Sequence, residues 1–171
     1  MTSLYDLTFP TLINALKAEQ GLLTKAEAFA AEKGIDIEEI LNFRLAPDMW
    51  PFSQQIVITT LHAAMAVQKL TGTPANKINF GPAPLADCKK YLAETLELVQ
   101  SIKPEAANGK EAETVKAQLG QGEVPMKAIN YVQGYLIPNV FFHLTTVYDI
   151  LRLKGLSIGK ADFISSFVKL D

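Results

Sequence analysis

Apolar residues recur along most of this chain at intervals of three and four, the spacing that gathers one face of an α-helix. From Phe9 to Lys33 the residues Leu12, Ile13, Leu16, Leu23, Ala26 and Ala30 share a side, and Gly34 follows as a stop. Gly21 weakens the middle of that helix, by up to about 1 kcal/mol relative to alanine where it is exposed. Asp36-Ile-Glu-Glu-Ile-Leu reads as a short helical turn, with Asp36 as N-cap and Glu39 as its capping partner. A second long helix is expected from Trp50-Pro51, with Asp48 as cap, to Leu70, where Thr71-Gly72-Thr73-Pro74 breaks it. Phe52, Ile56, Ala63, Ala66 and Leu70 share its apolar side, flanked by Val57, Leu61 and Met65. The third helix, Pro84 to Ile102, has the clearest period. Leu85, Cys88, Leu92, Thr95, Leu96, Val99 and Ile102 face one way, and Asp87, Lys89, Lys90, Glu94 and Glu97 the other. Such a helix packs on one flank and faces water on the other.

Between Lys103 and Pro125 the pattern breaks into Pro104, Gly109, Gly120, Gly122 and charges. A connection longer than about 15 residues usually carries structure of its own. Thr114-Val-Lys-Ala-Gln-Leu alternates and runs into Gly120-Gln-Gly122, which predicts a small β-hairpin pairing it with residues near Val124 to Ala128. A last long helix is then expected from Pro138, a first-turn proline, to Lys154, with Gly155 as its stop. Ile137, Phe141, Leu144, Tyr148 and Leu151 form one stripe on it, and Val140, Val147 and Ile150 form a second beside it, so this helix is buried on several sides. The tail from Ser157 to Asp171 brings Phe163, Ile164, Phe167, Val168 and Leu170 to dock on the others. The fold predicted is a single all-α domain over residues 1–171, a four-helix bundle with a small β-hairpin in the long loop before the last long helix.

Composition narrows the function classes. A chain of 171 residues can bury roughly two-thirds of its unfolded surface and needs neither disulfide nor structural metal to fold. The formal net charge of −2 gives no field for nucleic acid or anionic lipid, so neither is expected as a partner. No apolar run reaches the roughly 18 residues of a membrane span. Met-Thr-Ser-Leu-Tyr-Asp lacks the basic and apolar regions of a signal peptide, and the single Cys88 fits a reducing compartment. A soluble, cytoplasmic protein is the expectation. G-x-S-x-G, H-E-x-x-H, P-loop and C-x-x-C patterns are all absent, so no common catalytic motif is present.

The polar residues of interest lie on apolar helix faces. His143 sits on the second stripe of the last helix, and His62 falls four residues after Ile58 and three before Met65. Each reads either as a neutral core imidazole or as a pocket group. For His143 the structural partners would be a backbone carbonyl, Thr146 or Asn139. Gln54 and Gln55 occupy the first turn of the second long helix, where one of them faces an opening. Tyr135 and Tyr148 read as core aromatics with one satisfied hydroxyl. Cys88 reads as a small core residue with no cation nearby to favour a thiolate. Lys160 and Asp162 read as a surface pair or as the cap of a tail helix.

The string Leu136-Ile-Pro-Asn-Val-Phe-Phe-His-Leu-Thr-Thr-Val-Tyr-Asp-Ile-Leu-Arg152, with Gly155 and Ile158-Gly-Lys-Ala-Asp-Phe163, resembles the C-terminal signature of the DUF1993 family. Leu45-Ala-Pro-Asp-Met-Trp-Pro-Phe-Ser53 resembles its second signature. The family is a branch of the DinB/YfiT-like bundles, whose better-known members hold a divalent metal with three histidines, one from the second helix and an H-x-x-x-H pair from the last. The resemblance places His143 at the first member of that pair and Val147 at the second, and His62 on the helix of the third ligand. With two histidines in the chain, a three-histidine site cannot be completed. A zinc or nickel ion would need Asp48, Asp149 or waters beside His62 and His143, and Asp149 lies about 120° around the helix from His143. No cofactor is therefore expected. The ligand-binding set expected is Trp50, Gln55, His62, Asn139, His143 and Tyr148. Three readings follow: a bundle binding a small, partly apolar molecule; an enzyme with His143 or His62 as general acid/base or in a histidine-carboxylate metal site; and, compatible with both, the homodimer common in the superfamily.

Overall fold

In the computed structural model, which describes residues 3–168, the long helices and the hairpin occur in the expected order. Helix α1 (Leu4–Lys33) starts earlier than its apolar stripe. Ser3 and Asp6 form a capping box, in which the Asp6 N–H donates to Ser3 Oγ at 3.2 Å and the Ser3 N–H to Asp6 Oδ2 at 3.3 Å. Helix α2 (Ile37–Leu41) is capped by Asp36, whose carboxylate accepts from the Glu38 N–H at 3.0 Å without engaging the Glu39 side chain.

Helix α3 (Phe52–Thr71) corrects one expectation. Asp48 does not cap it, because Pro51 occupies the cap position and makes no side-chain bond there. Its entry is set instead by the loop that precedes it. The Phe52 N–H donates to the Phe43 carbonyl at 2.9 Å, and the Arg44 guanidinium donates to the Met49 carbonyl at 2.6 Å. Helix α4 (Leu85–Ser101) runs as its period predicts. Strands β1 (Thr114–Leu119) and β2 (Gly122–Lys127) pair antiparallel from Thr114↔Lys127 to Leu119↔Gly122. Gly120, at φ +58°, takes the left-handed first position of the two-residue turn. Val115 and Ala117 are buried, which seats the hairpin on the bundle.

The last long helix begins ten residues before Pro138. Helix α5 (Ala128–Tyr131) passes through a π turn (Val132–Leu136) into α6 (Ile137–Leu153). Pro138 has no N–H to donate and its ring crowds the carbonyl four residues back, which favours a helix start. Here the π turn removes that conflict from inside the helix, with the Ile137 N–H reaching back to the Val132 carbonyl. Past Gly155, Arg152 donates to the carbonyls of Leu156 and Ile158 at 3.1 and 2.8 Å and holds the turn toward α7 (Lys160–Ile164). Asp162 accepts from the Gly159 N–H at 2.7 Å and pairs with Lys25 of α1, so the tail cap forms as expected while the surface pair uses Lys25 and not Lys160. Phe163 and Phe167 pack on Phe141, with ring centroids 6.4 and 5.5 Å away; Leu170 lies outside the described residues.

One core runs through the bundle. Leu12, Leu16 and Leu22 of α1, Phe52 and Ile56 of α3, Leu92 of α4 and Leu144, Val147 and Ile150 of α6 are all fully buried in it. Helix α3 is central, packing on α6 along one side and α4 along the other, while α1 closes against α4 and α6. No helix among the described residues is long and apolar enough to cross a membrane.

Candidate functional site

Two sets of side chains leave α3 in different directions. Ile56, Ala63, Val67 and Leu70 enter the core. Ile58, Leu61, His62 and Met65, at the helical spacing of three and four, line a cleft instead. From the π turn and α6 come Tyr135, Asn139 and His143, each four residues after the last. Trp50 comes from the loop before α3, Phe80 from the loop after it, and Gln118 from β1. Together these ten residues enclose about 430 Å³, and none of them is Asp, Glu, Lys or Arg.

His143 is the most constrained polar group of this wall. It is 5% exposed, and its Nδ1 lies 2.6 Å from Gln55 Oε1. Gln55 Nε2 donates in turn to the Trp50 carbonyl at 2.8 Å. Reversing that amide would set its oxygen against the carbonyl oxygen, so Oε1 faces the histidine and Nδ1 carries the proton. Nε2 is left with a lone pair. Trp50 lies nearly parallel to the imidazole at 5.8 Å between centroids and His62 likewise at 6.1 Å, while Phe142 meets it edge-on at 5.2 Å. Burial lowers both histidines from the ordinary 6.5 to about 4, and for His143 the neighbouring His62 adds to the effect. Both are neutral at pH 7.

A smaller pocket of about 170 Å³, lined by Asp48, Met49, Trp50, Gln55, Phe142 and His143, lies beside the cleft, so Trp50 and His143 form a shared wall. Asp48 belongs to this pocket and does not reach the cleft lining. Of the residues expected to bind a ligand, Trp50, His62, Asn139 and His143 meet in the cleft, and Gln55 stands behind His143 as its anchor. Tyr148 does not join them; it meets Phe163 edge-on at 5.9 Å under the tail. The partners expected for His143 are occupied elsewhere, with Asn139 donating to the Tyr135 carbonyl at 2.6 Å and Thr146 to the Phe142 carbonyl at 2.8 Å. Ile58, Leu61, Met65, Phe80, Gln118 and Tyr135 are further lining residues not singled out from the sequence as ligand contacts. For Ile58, Leu61 and Met65 the signal that could have found them is the second apolar stripe of α3; Phe80, Gln118 and Tyr135 come from other elements and carry no such local signal.

The residues present do not form the three-histidine metal centre that the resemblance to the DinB/YfiT-like bundles implies. Val147, at the second position of the last-helix pair that the resemblance implies, is fully buried in the core. Among the described residues no three His, Cys, Asp or Glu side chains come together as a ligand set.

A second polar group lies on the α1 side of α3. Glu19 is fully buried, and its Oε1 accepts from Thr59 Oγ1 at 3.0 Å while Oε2 has no partner; Ser53 Oγ and Thr95 Oγ1 are also buried without partners. Burial lifts the Glu19 carboxyl well above the ordinary carboxylate range, against the smaller opposing effect of the Thr59 hydrogen bond, and so favours its neutral form. Cys88 is buried as expected. Burial, with smaller contributions from Glu19, Asp87 and Glu38, pushes its thiol up to about 12, so it carries no thiolate chemistry.

Residues 4–164 match the family model described as a domain of unknown function, DUF1993. Among solved structures, the crystal structure of a DinB family member protein from Shewanella denitrificans is similar to this chain. It superposes at a TM-score of 0.82 with 32% identity, over 94% of this chain and 91% of that one. No curated protein matches the chain.

Proposed function

The chain belongs to the DUF1993 family and has a DinB-like helical fold, and from that premise we propose that it binds a small, partly apolar, uncharged molecule in the cleft between α3 and α6. The observation that supports this reading is the lining: about 430 Å³ walled by aromatic and aliphatic side chains, with a few inward polar atoms and no formal charge. That is the usual make-up of a small-ligand site. An ionised ligand would lose its hydration there and meet no counter-charge. The test is a thermal-shift screen of uncharged aromatic fragments against the wild type and Trp50→Ala. A fragment at ten times its Kd stabilises the fold by about 1.4 kcal/mol, so hits are expected to raise the wild-type Tm and to lose that effect in the variant. A screen in which no fragment shifts the wild type overturns the reading.

A second reading has its own observation. The Trp50–Gln55–His143 chain fixes one imidazole tautomer, the arrangement a general base requires of its orienting partner. An enzyme of this kind would show an acid limb in its pH profile near 4, far below an ordinary histidine.

A further inference from the structure

Resting on the reading of the cleft as a ligand site, we infer that its ligand donates a hydrogen bond to His143 Nε2, and so belongs to the neutral planar compounds that carry a hydroxyl or ring N–H, such as phenols and azoles. The two nitrogens of an imidazole point in nearly opposite directions. Nδ1 is turned to Gln55, which lines the smaller pocket and not the cleft, so the opposite edge of the ring, with Nε2, is the edge His143 presents to the cleft. Nε2 has no partner among the described residues, yet it is not one of the unpartnered atoms sealed from solvent. It is a reachable lone pair in an apolar surround, a position where a missing donor is costly.

The wall supplies few donors of its own. One N–H of the Asn139 amide is committed to the Tyr135 carbonyl and one of the Gln118 amide to the Gly120 carbonyl at 3.1 Å. Among the donors left on the protein side are the Trp50 indole N–H, the Tyr135 hydroxyl and the neutral His62 ring, the last two meeting edge-on at 5.6 Å. A ligand that donates to Nε2 therefore satisfies the acceptor that the fold leaves open on His143. Its shape follows from the walls. Trp50 and Phe80 meet edge-on at 5.7 Å, with Met65 lining the same cleft, so a flat ring finds an aromatic face, an aromatic edge and a polarizable sulfur.

The experiment compares matched pairs that differ only in the donor: 2-naphthol with 2-methoxynaphthalene, and indole with 1-methylindole, titrated calorimetrically at neutral pH. The donor of each pair is expected to bind at least tenfold tighter to the wild type. That advantage should vanish in His143→Phe, which keeps a flat ring in place, and persist in His62→Phe. Independently, ¹⁵N spectra of the wild type are expected to show His143 as the Nδ1–H tautomer, with the Nε2 resonance moving on addition of 2-naphthol. Equal binding within each pair, a donor advantage that survives His143→Phe, or an Nε2–H tautomer overturns the donor inference and leaves the cleft reading standing. Failure of all four compounds to bind overturns both. If His143→Phe does not fold, the wild-type pairs and the ¹⁵N tautomer still decide.

Discussion

Helix α3 separates two polar groups that burial treats alike and the fold uses differently. Toward α1, Glu19 is sealed in the core, its carboxyl pushed toward the neutral form, with one oxygen bonded to Thr59 and the other unpartnered. Toward α6, His143 and His62 are also held neutral, yet they border a cleft and the inner nitrogen of His143 is fully engaged by Gln55. Desolvation disfavours the charged form in both places. The difference lies in what remains once charge is gone. On the enclosed side it is an unsatisfied atom that costs stability; on the open side it is an oriented lone pair that another molecule can reach.

The two sides make opposite contributions to stability as pH changes. His62 and His143 ionise at about 4 in the fold against an ordinary 6.5, so between those values the unfolded chain binds protons that the folded chain refuses. Stability from this source is complete above 6.5 and is lost as pH falls through about 4. A lowering of that size corresponds to roughly 3 kcal/mol for His143. Urea denaturation at pH values from neutral down to about 4 should show His143→Phe losing that much less stability than the wild type over the same range. Equal acid slopes would mean that the His143 ring is already hydrated in the fold, and the likeness between the two sides would fail.

Glu19 acts with the opposite sign. Its folded pKa is raised, so its contribution is complete below the ordinary 4.5 and declines as pH rises toward the folded value. Glu19→Gln should abolish that decline while keeping the shape of the side chain. Glu19→Leu should also remove the unpartnered oxygen and stabilise the fold by about 1–3 kcal/mol at neutral pH. Thr59 retains a partner in either variant, since its hydroxyl also donates to the Gln55 carbonyl at 3.2 Å. Urea midpoints of the two variants across pH test both statements. A Glu19→Leu protein less stable than Glu19→Gln would show that the second oxygen has a bonded partner in solution, most simply a buried water shared with another enclosed polar group, and the contrast with the cleft would weaken.

What the sequence made legible, and what it hid, follows the same division. Period and turn chemistry were enough for the four long helices and for the hairpin turn at Gly120, because those signals are local. Pro138 misled because a first-turn proline is the common solution, and only the packing of the whole segment reveals that a π turn at Val132–Leu136 accommodates it. Asp48 had the chemistry of a cap, but the chain enters α3 through Pro51 and the Phe43 carbonyl. Tyr135 and Tyr148 are thirteen residues apart, roughly 220° around an ideal helix, so they face different neighbours; nothing local says which one meets His62 and which one Phe163. His62, His143, Asn139 and Trp50 were legible as a group through the family signatures. Glu19 was not, although a carboxylate three residues after Leu16 and four before Leu23 breaks the apolar stripe of α1 and could have marked it.

The smallest expected effect on stability tests whether the open side is a site at all. Phe80 is 67% exposed and touches the cleft chiefly by its edge-on contact with Trp50. A side chain so placed buries little apolar surface on folding, so Phe80→Ala should leave the urea midpoint within about 0.5 kcal/mol of the wild type. Holding a large aromatic ring in water has no evident benefit to the fold, and its place in the lining gives it one only when a ligand covers it. The same variant should therefore bind 2-naphthol severalfold more weakly in calorimetric titration, through the loss of ring contact. Should Phe80→Ala instead lose more than about 2 kcal/mol of stability with binding unchanged, the rim of the cleft would belong to the structural core. The accessible side of α3 would then differ from the enclosed side only in degree.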